Sequence, residues 1–175
     1  MTLYSFKGIQ PQIAEGVYIA PSADVIGKVI LEEHSNIWHQ CVARGDVNWI
    51  RIGKNTNVQD LTMLHVTKDF PLTIGSQVSI GHSVTLHGCT IGDHCLIGMG
   101  AIVMDGAEIG EHSVVAAGSL VTPGKKFPAG SMIMGNPAIL KRALTTEEYN
   151  LYGNHYKAYI HYKEEYLDAD LVKLL

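Results

Sequence analysis

The stretch IGDHCLIGMGAIVMDGAEIGEHSVVAAGSLV, residues 91–121, carries an aliphatic residue at every sixth position: Ile91, Ile97, Val103, Ile109, Val115 and Val121. A period of six matches neither the 3.6 of a helix nor the 2.0 of a flat strand. The content, β-branched residues and glycine, is also what helix interiors disfavour. It suits a solenoid: one short strand per hexad, a glycine-eased corner, and three hexads to close a triangular coil of about eighteen residues. Coils stack at the ~4.8 Å spacing of neighbouring strands, and the inward aliphatic column becomes the core.

Outward from this stretch the same period recurs at Ile74, Ile80 and Leu86, at Ile52, Val58 and Leu64, and at Ile19, Val25, Leu31, Ile37 and Ala43. Steps of nine (43 to 52), ten (64 to 74) and five (86 to 91) join the blocks. Four residues after the aliphatic stands a small or modest residue, among them Cys41, Val84, Cys95, Ala101 and Ser113. A sandwich of short strands would not hold one register over more than 100 residues. The expected fold is an all-β solenoid, a parallel β-helix of hexapeptide repeats. Periodicity by itself leaves its hand open.

After Val121 the pattern fades through a segment rich in proline and glycine, residues 122–144. Thr145 and Glu148 then have capping-box spacing, and Tyr149, Tyr152, Tyr156, Tyr159 and Ile160 form one helical stripe. The expectation is a single domain over 1–175, with the β-helix at about 10–134 and a C-terminal α-helix at about 145–172 packed on it.

A net charge of −4 without a basic block argues against nucleic-acid or anionic-membrane partners. No run of eighteen apolar residues suggests a membrane span, and MTLYSFKGIQPQ (1–12) does not read as a signal peptide. Three cysteines without metal spacing fit a reduced cytoplasm. Cys41 and Cys95 take the small inward position and Cys89 sits beside it, so all three read as space-fillers.

Nine histidines are the oddity. Three hexad steps return the chain to the same face one coil on. Leu64 to Leu86 is three steps, so His65 and His87 occupy equivalent outward positions one rung apart, and Arg44 precedes them in the same row. Two imidazoles ~4.8 Å apart at the backbone can converge on one ion. His82 belongs to the preceding face, with Asp60 one rung away and Gln59 beside it. It should not reach that ion within one subunit. A closed trimer would lay the His82 face of one chain against the His65 and His87 face of the next, completing the three-imidazole set of a catalytic zinc site. The steps of nine and ten flank this region, and solenoid insertions commonly build binding sites. Arg44 and Asp60 either pair across that boundary or form ordinary surface ion pairs. The other histidines, at 34, 39, 94, 112, 155 and 161, read as solvated.

Residues RGD (44–46), NVQD (57–60), LHV (64–66), IGHSVTLHGC (80–89), IGMGAIVMDGAEIG (97–110) and GNPA (135–138) carry a family likeness over nearly the whole chain. They resemble the γ-class carbonic anhydrase-like hexapeptide proteins. The resemblance implies a homotrimer of left-handed β-helices with a C-terminal helix and a metal, zinc with iron or cobalt as alternatives, between subunits. It implies His65 and His87 as ligands from one chain and His82 from its neighbour. Gln59 matches the glutamine that hydrogen-bonds the nucleophile, Arg44, Asp46 and Asp60 match charged boundary residues, and Tyr159 resembles the helix tyrosine that closes the pocket. Three departures stand out: Val47 replaces a glutamate, VTKDFPL (66–72) is too short for the acidic proton-shuttle loop, and His155 stands where many relatives have asparagine. The implied reaction is hydration of carbon dioxide to bicarbonate, slow or absent for want of a proton carrier beyond buffer, Asp69 or a nearby histidine. The alternatives are a coenzyme A-dependent acyltransferase with a histidine base and a metal-binding assembly protein without turnover.

Overall fold

The computed structural model describes residues 2–168. Most of its strands are short because each hexad spends most of its length on a corner; Asp24–Leu31 and Val42–Ile52 are the long exceptions. Corners need left-handed backbone at one residue, which asparagine, glutamine, histidine, serine or glycine supplies in turn: Asn55, Gln77, Ser83, Gly88, His94, Gly100, Gly106 and His112 all have φ between 52° and 68°.

The hexad register holds as counted. Along one face, Ile19, Ile37, Val58, Ile80, Ile97, Val115 and Ile133 pair in parallel, strand on strand, through seven coils. The other two faces belong to one bent sheet, because strand Val42–Ile52 pairs first with Met63–His65 and, past the edge, with Leu72–Ile74. The inward column is sealed from water: Ile37, Val58, Leu64, Ile80, Leu86, Ile97 and Val103 have no exposed surface. Burying each such side chain stabilises the fold by about 1.5–3 kcal/mol, the largest favourable contribution available here.

Coiling extends past Val121, through Lys126–Phe127 and Ser131–Gly135, where the antiparallel strand Ala138–Ala143 ends it. At the other end Thr2–Tyr4 and Gln12–Ile13 pair with Asp24–Leu31. The architecture is thus a parallel β-solenoid followed by a C-terminal helical segment.

That segment comes in two pieces, α1 (Thr146–Gly153) and α2 (Tyr156–Leu167), separated at Asn154 and His155. The expected capping box is present: Glu148 N–H donates to Thr145 Oγ1, and Thr145 N–H donates to the Glu148 carboxylate. The expected helix at 145–172 therefore has an interruption, and its last four residues lie outside the described ones. The break lies where Gly153 rides on the stacked rings of His94 and His112, which are 4.4 Å apart and 8° from parallel. A Cβ on Gly153 would come within 3.5 Å of the His112 ring. Further along, α2 is anchored by Trp38 packing edge-on against Tyr159 and Tyr166, and by Lys163. That side chain is fully buried, its ammonium donating to Gly16 O at 2.9 Å and reaching His34 Nδ1 at 3.3 Å and Glu164 at 2.8 Å.

The solvated reading of the remaining histidines fails for the half-buried, stacked His94 and His112, while His34, His155 and His161 stay exposed although each has a partner. His94 and His112 stack, Tyr149 of α1 covers His112 at 4.0 Å, His34 meets Lys163, His39 meets Ser22, and His155 meets Ser79. The hexad repeat carries no information about what the helical segment lays over the coils.

Candidate functional site

The row anticipated on the outer surface is present: Arg44 pairs in register with His65, and His65 with His87. Both insertions converge on it. Strand Asp24–Leu31 pairs Gly27 with Gly45 and resumes at Val29 with Ile50, so residues 46–49 bulge out of the ladder and carry Asp46 to His65. Asn48 in this bulge donates to Lys68 O at 3.0 Å, tying it to the second insertion.

Hydrogen bonds fix the tautomers. His65 Nε2 lies 3.1 Å from Asp46 Oδ1, and His87 Nδ1 lies 2.7 Å from Asp105 Oδ1. Ionised carboxylates only accept, so the proton of each neutral ring sits on the nitrogen facing its carboxylate. Burial opposes charge on Asp46, but hydrogen bonds from His65 and from Arg44 Nη1, with the Arg44 charge, outweigh it and hold the carboxyl below its ordinary range. What remains is His65 Nδ1 facing His87 Nε2 at 2.9 Å, lone pair against lone pair. Such a pair repels unless a proton or a cation lies between. Zinc–nitrogen bonds of ~2.0–2.1 Å require only that the two nitrogens part by roughly a few tenths of an ångström. The donor set fits a metal.

The third histidine obeys the same logic on another face. His82 Nδ1 lies 2.9 Å from Asp60 Oδ2, leaving its Nε2 lone pair directed elsewhere. All three histidines thus carry a carboxylate partner, the arrangement that orients metal-binding imidazoles. Arg44 and Asp60 do not pair within the chain; each is engaged by its own neighbour, Asp46 and His82.

Gln59 is nearly buried, at 4 % exposure, beside His82. Its Nε2 donates to Asn57 Oδ1 at 3.1 Å; Asn57 Nδ2 donates to Ser79 Oγ at 2.9 Å, and Ser79 Oγ meets His155 Nδ1 at 3.2 Å. The chain of bonds commits one of the two Gln59 amide N–H groups to Asn57 and so fixes the orientation of the side chain. Burial holds His155 below the ordinary histidine range. Gln59, His82 and His155 line one half-open cavity of about 620 Å³ between the helices and this face, with Met99, Met132 and Tyr159 among its other walls. Burial chiefly, with the charge of Asp60 adding, pushes the Tyr159 phenol up to about 12, so it stays protonated and able to donate.

The structure therefore gathers the expected residues into two groups. Arg44, Asp46, His65 and His87 form one; Gln59, Asp60, His82 and Tyr159 form the other, around the edge. Among the described residues no three His, Cys, Asp or Glu side chains are arranged to hold a metal. Sequence reasoning missed Asp105, Asn57 and Ser79. Asp105 had a signal, since it lies one coil, here seventeen residues, beyond Gly88, the residue next to His87. Gly88 makes the approach possible: it takes φ +57°, and a Cβ there would lie 2.6 Å from Asp105 Oδ1.

Comparison with known proteins bears on this geometry. Residues 88–123 match the family model "Bacterial transferase hexapeptide (six repeats)". The chain is 47 % identical to Protein YrdA of Escherichia coli K12, with 95 % of this chain and 94 % of that protein covered. It is 42 % identical to a carbonic anhydrase of Geobacillus kaustophilus, with 89 % and 91 % covered. Among solved structures, a putative acetyltransferase from Bacillus cereus superposes with a TM-score of 0.92 at 41 % identity, covering 94 % of this chain and 96 % of that one. With its coils, its paired imidazoles and these relatives taken together, the chain belongs to the γ-class carbonic anhydrase-like family of hexapeptide-repeat proteins.

Proposed function

We propose that the chain assembles as a homotrimer in which His65 and His87 of one subunit and His82 of the next bind zinc, and that the assembly hydrates carbon dioxide. The observation that carries this reading is the approach of His65 Nδ1 and His87 Nε2 to 2.9 Å, each ring backed by a carboxylate on its far side. Two neutral imidazoles held this way are costly without a cation, and two ligands on one face need a third from elsewhere. The face that bears them exposes Val47, Met63 and Ile102, with Leu61 and Met99 exposed at and beyond its edge. Apolar surface around a charged row suits a subunit boundary. Iron or cobalt would accept the same ligands.

Bound by three imidazoles, zinc would lower the pKa of its water to about 7 and so supply hydroxide at neutral pH. This chain's residues do the rest. Gln59, held in place by its bond to Asn57, would orient the nucleophile by a hydrogen bond from its side-chain amide group. Tyr159 closes the pocket with a protonated hydroxyl. Arg44 and Asp46 hold His65, Asp60 holds His82, and the bicarbonate product leaves through the half-open cavity. Proton removal is the weak point: Val47 is apolar and exposed, and Asp69 is the only carboxylate on the short loop after His65.

The test is stopped-flow hydration by the zinc-loaded protein in weak and strong imidazole buffer. The expected result is a slow rate that climbs steeply with imidazole. A fast rate in unbuffered solution contradicts the proton-transfer account, and no zinc uptake contradicts the whole. The second reading is acyl transfer, favoured by the likeness to the Bacillus cereus acetyltransferase fold. It leaves the carboxylate-backed histidines unexplained, and metal content per trimer separates the two.

A further inference from the structure

A second cavity, of about 260 Å³, is walled almost wholly by rings. Trp38 and His39 come from one coil, Asp60 from the next, and Tyr159, Tyr162 and Tyr166 from α2, at the i, i+3, i+7 spacing of one helix face. The rings meet like the walls of a box. Trp38 stands 79° from Tyr159 and 78° from Tyr166, and Tyr159 stands 82° from Tyr162, with centroids 5.5, 4.9 and 5.6 Å apart. Trp38 is nearly sealed in, its indole N–H donating to Asn36 Oδ1 at 2.7 Å, whereas Tyr162 and Tyr166 are 45 % and 38 % exposed.

Such a space attracts cations. The face of an aromatic ring is the negative side of its quadrupole and draws a cation within ~6 Å of the centroid. Asp60 adds a full charge, and the rings feel it: after burial, it is the strongest influence raising the Tyr159 phenol. Among the described residues no lysine or arginine lines the cavity, and the ammonium of nearby Lys163 is held by Gly16 O and Glu164. Hydrogen bonding selects the kind of cation. Both Asp60 oxygens are in use, Oδ1 accepting from the His39 main-chain N–H at 3.2 Å and Oδ2 lying 2.9 Å from His82 Nδ1. A primary ammonium or a guanidinium brings N–H donors that each need an acceptor, and phenol oxygens are all the walls add. A quaternary ammonium brings none, and its methyl surface suits ring faces. At ~30 Å³ per water-sized group the cavity holds about nine such groups, the size of a choline-like molecule.

We propose that this crevice binds a small quaternary ammonium compound of the choline type, its methylated nitrogen set among Trp38, Tyr159, Tyr162 and Tyr166 beside Asp60. The site stands apart from the metal reading. None of the three metal-binding histidines is among its walls, and binding calls for neither zinc nor turnover.

The probes are choline, tetramethylammonium, ethanolamine and the uncharged analogue of choline in which carbon replaces the nitrogen. Each is titrated calorimetrically into the full-length protein, zinc-loaded and metal-free. Choline and tetramethylammonium should bind both forms, with ethanolamine and the uncharged analogue at least about tenfold weaker. In saturation-transfer NMR the choline methyls should draw more saturation from aromatic protons than the methylenes do, a readout that needs no variant. Tyr162→Leu and Tyr166→Leu alter exposed side chains and should each weaken choline about tenfold, while Tyr166→Phe keeps the ring and should bind as the unaltered chain does. Equal affinity for choline and its uncharged analogue, or no binding of either cation, overturns the assignment. Unchanged affinity when both tyrosines are leucine overturns the location. Tighter binding of an acetylated trimethyl-lysine amide than of choline overturns the small-molecule reading in favour of a modified peptide. Choline binding by a protein that takes up no zinc supports this site and counts against the metal reading alone.

Discussion

A histidine ligates through a lone pair, and what touches its far nitrogen decides which nitrogen offers that lone pair. Here Asp46, Asp60 and Asp105 make that choice for His65, His82 and His87. Asp105→Asn leaves an amide that can donate to His87 Nδ1 and reverse its tautomer. Zinc affinity should fall about 10–100-fold in competition with a chelator, with little change in thermal unfolding. Unchanged affinity would mean that Asp105 is only a surface neighbour. The cysteines make the opposite case, of chemistry suppressed by the core. Burial pushes the thiols of Cys41, Cys89 and Cys95 up to about 12. Native protein at pH 8 should leave a thiol-disulfide reagent unreacted over hours, and denatured protein should titrate all three. Rapid modification of the native chain would contradict the space-filling role.

At the scale of elements, the C-terminal helices are held by rings rather than by a broad apolar stripe. Tyr149 lies on His112 and His112 on His94, with the His112 Nδ1 buried and unbonded among the described residues. Burial first, and His94 second, hold His112 below the ordinary histidine range. A depressed histidine means that the unfolded chain binds its proton first. Its contribution is therefore whole above the unfolded pKa of ~6.5 and is lost as pH falls toward the folded value. His112→Phe keeps a ring without a titrating nitrogen, so the drop in melting temperature between pH 7 and pH 5 should shrink. It should not vanish, because His155 is depressed as well. An identical drop in the variant would place the acid sensitivity elsewhere. The capping box at Thr145 was legible because it is local, four residues in a row. The break at Asn154 was not, because what sets it is a ring stack contributed by coils some forty to sixty residues away.

At the scale of the molecule, hexad arithmetic foretold the register of the coils, including the pairing of His65 with His87, since a repeat that buries one column leaves no freedom to slip. It foretold the face of His82 and its neighbour Asp60 for the same reason. It was silent on the bulge at 46–49 and on the depth of the cavity, which depend on side chains meeting from separate coils and from the helices. The trimer is where the two halves of the site would join, and hybrid assemblies probe that junction. A His82→Ala chain retains the paired imidazoles, and a chain carrying both His65→Ala and His87→Ala retains the third. Refolded together, they place an intact pair beside an intact third ligand at one boundary of each mixed trimer. Neither parent should bind zinc tightly, and the mixture should recover up to one zinc per mixed trimer. Full zinc binding by the His82→Ala parent, or no recovery on mixing, would contradict a metal shared between subunits.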